Sequence, residues 1–141
     1  MSEKSFWRTL SMNMAKCDGW REATRHEDKL QRGIADVSMV NNSGNHGWIE
    51  LKKLGDWPKR ESTIVRFPNY TDEQRLWLRR KGEAGGNTWL LAKVARDVLL
   101  FDYYAAQSVG YMNKKEMLIS ATASWIGKMN YEELGEKLCE R

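Results

Sequence analysis

Asp36, Glu50 and Lys52 are the residues whose types and spacing best suit chemistry. They lie in GIADVSMVNNSGNHGWIELK, residues 33–52, where two apolar runs flank an Asn/Ser/Gly turn. The pattern predicts a hairpin over residues 35–53, with Asp36 on its first strand and Glu50 and Lys52 on its second. Side chains alternate along a strand, so Trp48, Glu50 and Lys52 share one face while Ile49 and Leu51 take the other. Two carboxylates beside a lysine make an anionic cage for a hard cation and leave an ammonium near the water such a cation holds. That arrangement suits hydrolysis of a phosphodiester.

The elements that must position these residues can be read along the chain. Phe6, Trp7, Leu10 and Met14 recur at helical spacing, which predicts a helix over 3–16 with Gly19 as its stop. Residues 20–32 are polar and fit no single period. Residues 54–70 form a connection holding Pro58 and Pro68, with a β-branched run from Ser62 to Phe67 that reads as a third strand. Thr71 is a good N-cap for a helix over 72–83, with Gln74 at the N3 position of a capping box, and Gly85-Gly86 ends it. Thr88 to Val94 and Val98 to Phe101 read as adjacent buried strands. From Tyr103 onward the pattern predicts two or three helices, with Ile119, Ala123, Ile126 and Met129 on an apolar stripe.

Composition narrows the class. At 141 residues, with 41% hydrophobic and 30% charged residues, the chain reads as one folded domain. Lys and Arg total 23 against 19 acidic residues, a net charge of +4 that permits a nucleic-acid partner without demanding one. Cys17 and Cys139 stand far apart with no C-x-x-C, which argues against a zinc ribbon or a disulfide framework. No apolar run reaches membrane-spanning length, and Ser2-Glu3-Lys4 does not open a secretory signal. No membrane partner is expected, and a reducing cytoplasm is.

The glycine, acid, turn and E-x-K of Gly33, Asp36 and Glu50-Leu51-Lys52 resemble the PD-(D/E)xK nucleases, most closely small phage VRR-NUC proteins and Holliday-junction-resolvase-like endonucleases. The resemblance spans residues 20–102. It takes in Arg25-His26-Glu27 upstream and, downstream, Thr71-Asp72-Glu73-Gln74, Gly85-Gly86 and the run from Trp89 to Val94. Ala35 stands where the family has a proline, a residue that shapes the strand entrance and ligates nothing. The resemblance implies an α/β fold: a restriction-endonuclease-like mixed β-sheet flanked by helices, with a C-terminal helical extension. Residues 1–102 would form the nuclease core, and 103–141 the extension packed on the same domain.

It also implies roles. Asp36 and Glu50 would hold Mg²⁺ or Mn²⁺, with the Leu51 carbonyl as a further ligand. Lys52 would orient or deprotonate the attacking water, or stabilise charge in the transition state. Glu27 matches the family's upstream acid and would join the metal, with Glu22 as its alternative. Gln74 matches a glutamine aimed at the active site, although the capping box explains it equally well. Arg75 and Arg79, one helical turn apart, and Lys59, Arg60 and Arg66 in the connection are the expected phosphate contacts. Trp7, Trp77, Trp89 and Trp125 belong to the core, whereas Trp57 beside Pro58 is the tryptophan placed to touch substrate. His46 belongs to the turn.

The expectation is therefore a metal-dependent DNA endonuclease, phage-encoded and working in the host cytoplasm as a homodimer on branched DNA. Its rival is a non-catalytic DNA-binding or interaction protein on the same scaffold. A hydrolase of small phosphorylated molecules is disfavoured, because no Walker-type glycine loop is present.

Overall fold

The computed structural model describes residues 3–17, 20–26, 33, 35–41 and 44–138. Glu27, Glu22's rival as upstream acid, lies outside them, as does Cys139; Glu22 itself falls in the first strand. The chain runs α1 (Glu3–Met14), β1 (Trp20–Arg25), β2 (Val37–Asn41), β3 (His46–Leu54), α2 (Asp72–Glu83), β4 (Thr88–Val94), β5 (Asp97–Asp102), a 3₁₀ turn (Ala105–Ser108), α3 (Lys114–Ser120), β6 (Ala123–Trp125) and α4 (Tyr131–Leu138).

The six strands form one sheet in sequence order, antiparallel except for β3 and β4. A parallel pair needs a crossover, and α2 supplies it. β3 and β4 are the central strands, so both of their faces are covered. Leu90, Ala92, Leu99 and Phe101 pack with Trp77 and Leu78 of α2 and Met117 of α3 on one side. Ile49, Leu51, Leu91 and Leu100 pack with Phe6, Leu10 and Met14 of α1 and Leu134 of α4 on the other. The alternation along β3 therefore turns Trp48, Glu50 and Lys52 towards the α2 layer.

Several expectations are corrected. Residues 20–25, polar and without a clear period, form β1, because pairing with β2 settles what their side chains leave open. Ser62 to Phe67 is not a strand. It contributes one isolated bridge between Ile64 and Asn113 and a Val65 N–H bond to the Met112 carbonyl. After 102 the chain forms the 3₁₀ turn, α3 and α4 joined by turns, and also β6, which extends the sheet at Ala123. The apolar stripe there dissolves: Ile119 and Ile126 are exposed and Ala123 is in the strand. Trp57 is pinned into the fold, its Nε1 donating to Asp97 Oδ2 at 2.8 Å and its ring lying 4.9 Å from the Lys114 ammonium.

Two features test this packing. Gly82 lies buried in α2, and a Cβ there would come within 2.2 Å of the Tyr103 ring. In an open helix Gly→Ala stabilises by about 1 kcal/mol. Here overpacking costs about 1–3 kcal/mol, so Gly82→Ala should lower Tm by a few degrees in a thermal melt. Lys53, next to Lys52 but on the opposite face, has an Nζ shut off from solvent with no hydrogen-bond partner among the described residues. Burial, then its register neighbour Lys93, lowers its pKa below the ordinary 10.5. The folded state thus binds that proton less tightly than the unfolded chain. The penalty is in full force below the folded pKa and fades as pH rises towards 10.5. Lys53→Met should raise Tm at pH 7, and the gain should shrink as the pH rises towards 10.5.

Candidate active site

α2 begins where the sequence places it. Thr71 Oγ1 accepts the Gln74 N–H at 3.2 Å, and Gln74 Oε1 accepts the Thr71 N–H at 2.9 Å. Gln74 does not have to choose between cap and site. Its oxygen closes the capping box, while its Nε2 points back at the sheet, 3.4 Å from Glu50 Oε2. The box fixes the amide's rotation and so aims the donor.

Glu50 is 0% and Lys52 4% exposed, two residues apart in the middle of β3. The Lys52 ammonium stands 3.5 Å from Glu50 Oε2 and 3.6 Å from Glu3 Oε1, and donates to the Asn69 carbonyl at 2.9 Å. Three segments distant in sequence converge there: the start of α1, the centre of β3 and the turn ahead of α2. A buried charge must be paired and hydrogen-bonded, and here it is both.

Asp36 lies one residue before β2 and is half-buried. β2 covers β3 only as far as Ile49, paired with Val37. Beyond that point no described residue pairs with the β3 backbone on this side, and Asp36 Oδ2 accepts the Leu51 N–H at 2.9 Å. In a strand the N–H and C=O of one residue point to the same edge. The Leu51 carbonyl therefore faces the edge at which the Asp36 carboxylate sits. Two carboxylates and a carbonyl make an all-oxygen donor set, which fits a hard divalent cation with water completing the shell. Among the described residues no group of three or more His, Cys, Asp or Glu side chains is placed to hold a metal ion.

Tyr70 closes the site on the α2 side. Its hydroxyl donates to the Ala106 carbonyl at 2.9 Å, and its ring centre lies 5.9 Å from Lys52 Nζ. Burial holds the phenol well above its ordinary pKa; Arg75 pulls it back and Glu50 pushes it further up, so it stays a donor.

The basic residues divide. Arg75 does not face solvent as expected. Its Nη1 and Nη2 donate to the Tyr70 and Val109 carbonyls at 3.0 and 2.6 Å, tying the turn before α2 to the one after the 3₁₀ segment. Arg79 is exposed and paired with Glu83 at 2.9 Å. Lys59, Arg60 and Arg66 are exposed and make no ion pair among the described residues. Glu3, Asn69 and Tyr70 went unforeseen at the site. A first-turn glutamate normally answers the helix dipole, and a backbone carbonyl leaves no trace in a residue pattern.

No family model and no curated protein matches this sequence. Among solved structures the chain is similar to Hjc of Archaeoglobus fulgidus, a Holliday junction resolvase from an archaeal hyperthermophile. The TM-score is 0.60 at 14% identity, over 95% of this chain and 98% of that one. The likeness is one of fold. The chain has an α/β mixed-sheet fold similar to that of the archaeal resolvase, with helices on both faces.

Proposed function

We propose that this chain is a metal-dependent DNA endonuclease with Asp36, Glu50 and Lys52 as its catalytic residues and Gln74 positioned beside them. The observation that carries the reading is the buried Glu50–Lys52 pair at the edge where β2 stops and Asp36 takes over. Lys52 has three N–H groups. One is fixed on Asn69 at 2.9 Å, whereas Glu50 and Glu3 stand at the longer distances of 3.5 and 3.6 Å. Those two N–H groups are the ones free to exchange a carboxylate for a phosphate oxygen or an attacking water. Gln74 holds one oxygen of Glu50, which keeps the carboxylate plane from rotating.

Asp36, Glu50 and the Leu51 carbonyl would hold Mg²⁺ or Mn²⁺, joined by Glu27 as the upstream acid. When bound, the cation supplies charge neutralisation at the scissile phosphate and acidifies water. Lys52 adds a fixed positive charge where the phosphate gains negative charge, in a site already stripped of solvent. Glu3 brings a third carboxylate to the lysine.

The substrate we propose is branched DNA, in keeping with the four-way junction named for the archaeal resolvase, and the acting form a homodimer that sets two sites on one junction. Lys59, Arg60, Arg66 and Arg79 would track the strands. Arg75 leaves that group because its side chain is largely buried and both terminal nitrogens are held by main-chain carbonyls.

Three experiments follow from this reading. Cleavage of a branched DNA should require Mg²⁺ or Mn²⁺ and stop in EDTA, with Ca²⁺ supporting binding but little cutting because its looser coordination misplaces water. Robust cutting in EDTA would overturn the assignment. Lys52→Ala should slow single-turnover cleavage on the order of a hundredfold while leaving DNA affinity within a few-fold; wild-type rates would reduce Lys52 to a structural residue. Neutralising Lys59 and Arg60 should flatten the plot of log affinity against log salt by about 0.9 per lost contact. Arg75→Ala should instead show itself in the melting temperature.

A further inference from the structure

The turn that holds Lys52 through Asn69 has a second side. There Arg66, Pro68, Tyr70, Asp72 and Tyr111 line an open cleft of about 410 Å³. Its far wall is unusual for an exposed surface. The Arg75 guanidinium lies between two aromatic rings, 4.1 Å from the centre of Tyr70 and 5.2 Å from that of Tyr111. Tyr70 is buried, but Tyr111 is 64% exposed. Gly110 has φ +102°, and a Cβ there would come within 2.8 Å of Arg75 Nη2. The turn carrying Tyr111 thus lies close against the arginine, with the exposed ring beside its guanidinium.

What the wall can recognise follows from how Arg75 is used. Both terminal nitrogens are committed to main-chain carbonyls, and Asp72 Oδ1 stands 3.5 Å from Nη1. The guanidinium is therefore no fork for a phosphate; it serves as a flat cation behind a ring. The Asp72 carboxylate, 92% exposed, would repel an anion and can accept from an amino group. A flat ligand with an apolar face and polar edges suits such a wall, and every nucleobase is one.

We propose that this cleft binds an unpaired nucleobase of the DNA substrate, stacked on Tyr111 with its edge towards Asp72. The proposal rests on the DNA endonuclease reading and deepens it. Only a strand with a base free of its partner can fill the cleft, so the cleft favours gaps, loops and single strands over intact duplex, and a four-way junction only where a pair at the branch opens. Arg75 and Tyr70 are its positioning residues, and the same turn ties the cleft to Lys52.

The test measures affinity in Ca²⁺ for two DNAs of equal length, one fully paired and one with unpaired bases at a branch. It uses wild type, Tyr111→Ala and Tyr111→Trp. Tyr111→Ala should weaken the branched DNA by about 5- to 100-fold, as for loss of one base stack, and leave the duplex unchanged; Tyr111→Trp should keep wild-type affinity. An abasic site scanned through the unpaired segment should weaken wild type by the same factor at one position and leave Tyr111→Ala indifferent there. This arm needs no change to the protein. Equal losses on both DNAs, no loss, or no sensitive position would overturn the cleft. Cleavage in Mg²⁺ is read separately. A wild type that binds in this pattern yet never cuts would refute the endonuclease reading and leave the cleft standing, while a wild type that binds neither DNA would refute both.

Discussion

The rest of this structure is arranged around the burial of Glu50 and Lys52 in its central strand. A carboxylate and an ammonium removed from water each lose several kcal/mol of solvation even after relaxation, and their mutual attraction alone does not restore it. The remainder must come from groups brought in from elsewhere, which explains where the chain goes next. α1 starts with Glu3 against the lysine, the 67–70 turn lends it the Asn69 carbonyl, and α2 lends the glutamate the Gln74 amide. Each of these elements also has an apolar side to bury. The core draws it into place, and the charge pair fixes its register.

The site opens where sheet pairing stops. β2 and β3 are ordinary antiparallel partners up to Val37 and Ile49. One residue further a side chain, Asp36, replaces the backbone as acceptor for Leu51. Carrying the ladder on would have used up the Leu51 N–H and C=O on a neighbouring strand and walled off the edge. Ending it there gives the Leu51 N–H to the Asp36 carboxylate instead, beside the buried Glu50 and Lys52. The same economy governs Gln74, whose two amide atoms serve the helix start and the site at once.

Local signals carried much of this into the sequence. The capping box of α2 is a four-residue pattern whose atoms meet without help from the rest of the fold, and the alternation along β3 gives the shared face of Glu50 and Lys52 directly. β4 and β5 are apolar enough to declare themselves. What stayed hidden depends on partners distant in sequence. Nothing in Trp-Arg-Glu-Ala-Thr-Arg says strand until β2 lies beside it. Arg75 reads as a surface cation until two carbonyls from separate turns are placed at its tips. Trp57 looks free in a proline loop until Asp97, forty residues on, reaches its indole. Glu3 joins Lys52 across 49 positions of sequence. The apolar stripe after Tyr103 fails for the same reason, since β6 is a strand only because β5 offers an edge.

A buried ion pair is weak evidence for stability. Well-packed apolar residues of similar volume hold a fold as well or better, and substitutions of that kind stabilise by about 1–4 kcal/mol in other proteins. The core flanking Glu50 and Lys52 is leucine, isoleucine, alanine and tryptophan, and a Leu–Met pair would suit it. That the chain instead keeps two charges there, and commits Glu3, Asn69 and Gln74 to satisfying them, is poorly explained by folding. It is well explained by chemistry that needs an ammonium and a carboxylate held still in a dry site. Removing one partner strands the other and should harm the fold, whereas removing both should spare or improve it while abolishing any chemistry. Stability and activity moving in opposite directions in that double replacement is what separates an active site from a structural salt bridge.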